Sequence, residues 1–132
     1  MTKNELIAEA KKVRDKAYVP YSNFPVGAAL MTHSGEIYTG GNIENAAYPV
    51  TCCAERVAIF KAISEGHDKF IAMAVVADTE RPVSPCGSCR QVMSEFFSKD
   101  VIIYLTNLKE NTITVRMNDL LPLAFHSDDL LT

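Results

Sequence analysis

Two stretches far apart in the chain, Cys53-Ala54-Glu55 and Pro85-Cys86-Gly87-Ser88-Cys89, put three thiols and one carboxylate at metal-ligand spacing. If one ion gathers all three sulfurs, the fold must bring both stretches together, and this constrains the architecture more tightly than composition does. A structural zinc is closed by four protein ligands, whereas a catalytic zinc keeps one position for water. Here the pattern supplies no obvious fourth ligand, and an acid stands two residues beyond the first thiol. It points to a catalytic metal centre with Glu55 as its general acid/base.

Local chemistry supports the same reading. Thr51 is the expected N-cap of one helix, and Ser84 that of a second with Pro85 at its first position. Cys53 and Cys86 are then both second helical residues, facing free N–H groups at the positive helix end. Such surroundings lower a thiol pKa, and metal binding needs the thiolate. Cys89 follows Cys86 by about one turn, so both can face one ion. Glu55 lies about 200° around the helix from Cys53 and reaches toward a metal-held water rather than the metal. Three thiolates on Zn²⁺ leave a net negative charge, which hydrogen bonds to the sulfurs must offset; Arg56 is the candidate donor. Its alternative is a surface arginine paired with a glutamate.

A lone C-x-x-C also describes a redox pair or half of a structural zinc site. The redox reading gives Cys53 and Glu55 no role. A four-cysteine site must use Cys52 beside Cys53, and helix neighbours point about 100° apart. Cys52 reads instead as a small buried hydrophobe.

At 132 residues the chain is expected to form one domain, 1–132, with a core of its own. A net charge of −3 without a long basic run argues against nucleic-acid binding. Met1 to Lys16 is charged throughout and lacks the apolar core of a secretory leader. Reduced thiols and a cytoplasmic setting are therefore expected. Ala17 to Gly35 is uncharged but broken by Pro20 and Pro25, so no membrane span is expected.

Thr2 and Glu5 form a capping-box pattern ahead of an apolar stripe, Leu6, Ala10, Val13 and Ala17, in a helix ended by Pro20. Val26 to Met31 and Glu36 to Thr39 read as strands around a His33-Ser34-Gly35 turn. Then follow a helix from Cys53 to Glu65 stopped by Gly66, a strand from Ile71 to Ala77, and a helix from Gly87 to Phe97. Val92, Met93, Phe96 and Phe97 are expected to face inward. Strands at Val101 to Thr106 and Ile113 to Val115 complete the pattern; Asn107 to Thr112 is a turn. Helix–strand alternation implies an α/β fold, a three-layer α/β/α sandwich on a mixed sheet of about five strands. His33, His67 and His126 have no spacing to the cysteines and are expected in solvent, without a ligand role.

Cys53-Ala54-Glu55-Arg56 and Pro85-Cys86-Gly87-Ser88-Cys89-Arg90-Gln91 resemble the zinc signature of the cytidine deaminases, in its all-cysteine form. The resemblance extends to Pro20-Tyr21-Ser22-Asn23-Phe24-Pro25-Val26-Gly27-Ala28 and Gly41-Asn42-Ile43-Glu44-Asn45-Ala46, so it spans nearly the whole chain and points to the short homotetrameric class. It implies one Zn²⁺ per chain on Cys53, Cys86 and Cys89, and hydrolysis of cytidine and deoxycytidine to the uridines with release of ammonia, in pyrimidine salvage. Glu55 would carry the water's proton to N3 and help ammonia leave. The Ala54 N–H and the Ser84 carbonyl would hold the base, Phe24 would pack on it, and Asn42 with Glu44 would bind the ribose. Tyr48 and Phe125 would reach a neighbour's substrate across a tetramer interface, and Arg56 would serve the sulfurs.

Independently of the family, Asn42 and Glu44 stand at i and i+2 of an extended segment and share a face; the plain reading is a solvated strand. Phe24 alone would be read as core. The tail Leu120-Leu121-Pro122-Leu123-Ala124-Phe125 is more apolar than a free terminus and is expected to pack on its own domain or on a neighbour. Close alternatives are a deaminase of another aminopyrimidine nucleoside such as blasticidin S, or a polynucleotide deaminase. A zinc-stabilised binding module without catalysis is the alternative from another class.

Overall fold

Strand periodicity sorts the core into two layers, one on each face of a mixed sheet. The computed structural model describes residues 2–131, so Met1 and Thr132, which the 1–132 single-domain expectation spans and the first of which opens the charged Met1–Lys16 segment, lie outside the described residues. Five strands form the sheet: β1 Val26–Thr32, β2 Ile37–Gly41, β3 Phe70–Ala77, β4 Ile102–Asn107 and β5 Ile113–Arg116, in the order β2-β1-β3-β4-β5. Only β3 and β4 pair in parallel; the other neighbours are antiparallel.

Successive strand side chains alternate between faces. Ala28, Leu30, Met73, Val75, Ile103 and Leu105 enter one buried cluster, while Ala29, Met31, Ala72, Ala74 and Val76 enter another. Helix α1, Thr2–Arg14, closes the second cluster with Leu6, Ile7 and Ala10. Helices α2, Ala54–Ser64, and α3, Gly87–Phe96, close the first together with the short α4, Met117–Leu120. Burying a side chain such as Leu6 contributes roughly 1.5–3 kcal/mol. The result is the expected three-layer sandwich. Met93 and Phe97 are buried as expected, with Val92 and Phe96 packed at the cluster's edge.

Several boundaries differ from expectation. Thr2 lies inside α1 rather than capping it. That helix stops at Arg14 instead of continuing to Ala17, because Lys16 and Ala17 turn back onto the Val13 and Arg14 carbonyls. Gly66 does end α2: its φ of +95° lets its N–H reach Ile63 O while His67 N–H reaches Ala62 O. His67 is half-buried rather than in open solvent, lying 3.3 Å from Glu36 and tilted against Tyr38. Asn107 is not part of a loose turn but a fully buried end of β4. Its amide donates to Thr79 O and Glu80 O and accepts from the Lys109 and Asn111 N–H groups.

Strand direction explains why the two cysteine stretches meet. Both β2 and β3 run antiparallel to β1, and Gly41 and Val76 both pair with Gly27. The chain therefore leaves β2 and β3 at the same end of the sheet. It then enters α2 and α3, which lie on the same face, so their N-termini converge. Contact between α2 and the sheet is close at Gly40, where a Cβ would stand 2.6 Å from Ala58 N and 2.7 Å from Ala54 O. Among the described residues no helix is long and apolar enough to cross a membrane.

Gly40→Ala should force α2, and with it Cys53 and Glu55, away from the sheet. A loss of about 2–3 kcal/mol in denaturant-monitored stability is expected, together with weaker zinc retention. An unchanged unfolding midpoint would mean that the helix does not need this approach.

Candidate active site

Both metal-ligand cysteines adjoining helix starts occupy the N-cap, not the second helical position expected from sequence. Cys53 (φ −69°, ψ 155°) precedes Ala54, and Cys86 (φ −70°, ψ 169°) precedes Gly87. The expected caps are used elsewhere. Thr51 Oγ1 accepts from Asn45 N–H, and Ser84 Oγ accepts from the Arg90 guanidinium. Pro85 is buried just outside the helix instead of opening it. Neither thiol accepts a capping hydrogen bond from its own helix, which leaves the sulfurs free to face one another.

Cys53, Cys86 and Cys89 bring their Sγ atoms within 4.8 Å of one another. Cys53 and Cys86 sulfurs are 3.9 Å apart, and all four cysteines are free thiols. A tetrahedral ion with ~2.3 Å arms to sulfur spaces its ligands by about 3.8 Å, close to the Cys53–Cys86 separation, so the trio suits zinc. Cys89 is fully buried, Cys53 half-buried and Cys86 exposed, so the cluster opens on the Cys86 side.

Glu55, the second residue of α2, is only 4% exposed. Burial pushes its carboxyl up to about 7, with the nearby Cys53 acting in the same direction. Arg56, one turn from Cys53, donates from Nη2 to the Cys53 sulfur at 3.4 Å. A hydrogen bond with Cys89 is the main cause that lowers the Cys53 thiol to about 5, with Arg56 adding to it. Cys89 is displaced upward by the same bond and by burial. The Cys53 sulfur in turn keeps Arg56 firmly charged. Among the described residues the buried Arg56 Nε has no partner, so a donor is in reserve beside the sulfurs. The guanidinium thus lies against a thiol sulfur, the position a donor to an anionic sulfur cluster has to take.

Cys52 is no core residue. It is half-buried, bridges through its backbone to Ile43, and lines an open apolar groove of about 600 Å³ with Tyr38, Val57 and Phe60. That bridge ties the Asn42–Glu44 segment to the start of α2.

Asn42 and Glu44 are both turned onto the loop that carries Phe24. Asn42 accepts from Val26 N–H at 2.9 Å and donates to Phe24 O at 3.0 Å. Glu44 accepts from the Tyr21 and Ser22 N–H groups, at 3.0 and 3.1 Å, and from the Ser22 hydroxyl. The Ser22 hydroxyl is the main reason the Glu44 carboxyl lies below its ordinary value. Glu44, Ser22, Tyr21, Tyr48 and Thr51 line a cleft of about 340 Å³, and Tyr21 meets Tyr48 edge-on at 6.0 Å. Phe24 is 41% exposed, not core. Ala54 is buried at the first position of α2, where an N–H has no partner within the helix. Ser84 lies at the surface before Cys86. Tyr48 and Phe125 are 71% and 60% exposed, and the Phe125 carbonyl accepts a hydrogen bond from Gln91. The structure thus gathers the cysteines, Glu55 and Arg56 tightly, and sets Glu44 and Tyr48 in one cleft; Phe125 joins neither group. Ser22 and Arg90 were not singled out from sequence. Their one signal was position, each lying inside a stretch that carries the family resemblance.

Residues 1–105 match the family model described as the cytidine and deoxycytidylate deaminase zinc-binding region. The chain belongs to this deaminase family. A cytidine deaminase of Sporosarcina psychrophila is 58% identical over 130 residues, covering 98% of this chain and 96% of the relative. One from Halalkalibacterium halodurans is 52% identical, covering 98% of each. The crystal structure of cytidine deaminase from Burkholderia pseudomallei superposes with a TM-score of 0.92 at 48% identity, covering 95% of this chain and all of that one. The chain is a zinc-binding deaminase, and the cysteine trio is the group placed to hold its metal.

Once zinc is stripped by a chelator, alkylation should reach Cys86 well before Cys89, read by mass spectrometry of the peptides. Equal rates would contradict the burial difference between them.

Proposed function

We propose that the enzyme hydrolyses cytidine and deoxycytidine to the corresponding uridines and ammonia, a step of pyrimidine salvage. The carrying observation is the sulfur trio with a buried carboxyl, Glu55, in the first turn of the helix that Cys53 caps. Similarity to cytidine deaminases over nearly the full length supports the same substrate class.

Cys53, Cys86 and Cys89 would hold the zinc, which when bound would supply Lewis acidity to a reacting water. Glu55 accepts the proton of the attacking water, delivers it to ring N3, and then serves the departing amine. A carboxyl held near neutral pKa suits both directions of transfer. Cytosine offers an amino donor and ring acceptors. A carbonyl can only accept, so Ser84 O takes the amino group; the Ala54 N–H can only donate, so it takes an acceptor on the base. Phe24, half-exposed on a loop held by Asn42 and Glu44, gives the ring an apolar face. Asn42 and Glu44 also present their remaining polar capacity to the sugar hydroxyls. Arg56 draws electron density from the Cys53 sulfur.

Assembly completes the site. Tyr48, Phe125, Ile43, Phe60 and Leu123 are large apolar side chains left in solvent by a single chain. The groove beside Cys52 adds to that surface. A homotetramer in which Tyr48 and Phe125 cross to a neighbour's substrate buries them. No separate observation favours a polynucleotide substrate.

Glu55→Gln should retain one zinc per chain and lose about 10²–10⁴-fold in kcat, followed by the fall in cytidine absorbance. Full activity in that variant, or none in the parent protein, would sink the reading. Arg56→Ala should cost about 10–100-fold in zinc affinity or activity. Sedimentation should show a tetramer, and Phe125→Ala should raise KM by roughly ten-fold or less. A fully active monomer would remove the shared site.

A further inference from the structure

The side chain that follows the last zinc ligand ties its own helix to two other segments. Arg90 Nε donates to Pro85 O at 2.9 Å, Nη2 to Ser84 Oγ at 2.6 Å, and Nη1 to Leu120 O at 2.9 Å. We infer that Arg90 is a positioning residue that fixes the Ser84–Pro85 turn so that the Ser84 carbonyl meets the amino group of the pyrimidine. The inference rests on the proposed role of that carbonyl.

The geometry singles out the peptide between Ser84 and Pro85. Its carbonyl is Ser84 O, and it is bracketed by Ser84 Oγ and Pro85 O. One planar guanidinium holds both brackets, so rotating the peptide would require breaking the fork. Pro85 has no N–H, which deprives the turn of a backbone donor of its own. On its other side the turn is anchored by Val83 N–H to Thr106 O at 3.3 Å. Arg90 itself is seated on α3, where its N–H bonds to Cys86 O at 3.0 Å. A ligand sulfur at Cys89 and the aim of the Ser84 carbonyl are thereby referred to the same turn of one helix. Lysine carries the charge but not the fork, and its single ammonium cannot reproduce this planar arrangement. The bond to Leu120 extends the tie to the C-terminal segment, which α3 also holds through Gln91 and Phe125 O. A merely structural arginine would be felt equally by every ligand. A positioning arginine should be felt most by a ligand that has an amino group to place.

The test uses zinc-loaded full-length protein carrying Glu55→Gln, which suppresses turnover so that binding is measured at equilibrium by calorimetry. Two ligands are compared: cytidine, and pyrimidin-2-one riboside, which lacks the amino group. With Arg90 intact, cytidine should bind about five-fold more tightly, the worth of one neutral hydrogen bond. With Arg90→Lys added, the gap should close to within about two-fold while one zinc per chain remains. Ser84→Ala, which removes one of the two brackets, should narrow the gap part of the way. A full gap in Arg90→Lys, including one in which both ligands weaken equally, overturns the role of Arg90 and leaves the Ser84 carbonyl reading standing. No gap even with Arg90 intact overturns the carbonyl reading and the inference with it. Should Arg90→Lys not fold or not hold zinc, Ser84→Ala decides, and an undiminished gap there counts against Arg90.

Discussion

Three sulfurs held within 4.8 Å of one another are the constraint on which the rest depends. Thiolates repel at such distances, and nothing in a hydrophobic core would draw them together. Two things allow it here: an ion that takes all three as ligands, and cationic surroundings that lower the cost before the ion arrives. Those surroundings are the starts of α2 and α3 and the Arg56 guanidinium on Cys53. The sheet provides the convergence through strand direction, since β2 and β3 end at one level and feed helices on one face. Fold and chemistry are in this sense a single problem, and the contact of Gly40 with α2 belongs to both.

Electrostatics divides the labour within this small volume. Glu55 is buried, so its carboxyl titrates upward, while Glu44 lies in a cleft where backbone N–H groups and a hydroxyl hold it ionised. Two glutamates eleven positions apart in sequence thus receive opposite treatment, one suited to moving a proton and one to accepting hydrogen bonds without taking one. The difference is environmental and has no counterpart in residue type.

Sequence reasoning reached what depends on local spacing. The cysteine trio, the acid at Glu55, the stop at Gly66 and the alternation behind the sandwich are all written in neighbouring residues. What it missed depends on competition between distant partners. Thr51 and Ser84 are good N-caps by propensity, yet each hydroxyl has another bond to make, with Asn45 N–H and Arg90, and the cysteines become the caps. Cys52 was assigned to the core by its type, but the backbone bridge to Ile43 holds it at a groove. Asn107 was placed in a turn by composition, although burial makes its amide the fastening of the loop leading to Ser84. Asn42 and Glu44 share a face as expected, and their bonds to the Phe24 loop were invisible because those partners lie some twenty residues earlier.

The hairpin between β1 and β2 has a practical consequence. Its His33-Ser34-Gly35 tip is exposed, with Gly35 in a left-handed conformation and open space around its α-carbon. Pairing of Met31 with Ile37 sets this tip at the opposite end of the sheet from Gly27 and Gly41. Loop tips of this kind tolerate added sequence. A tether or affinity handle grafted there would let the catalyst be immobilised on a support with its substrate entrance turned toward the liquid.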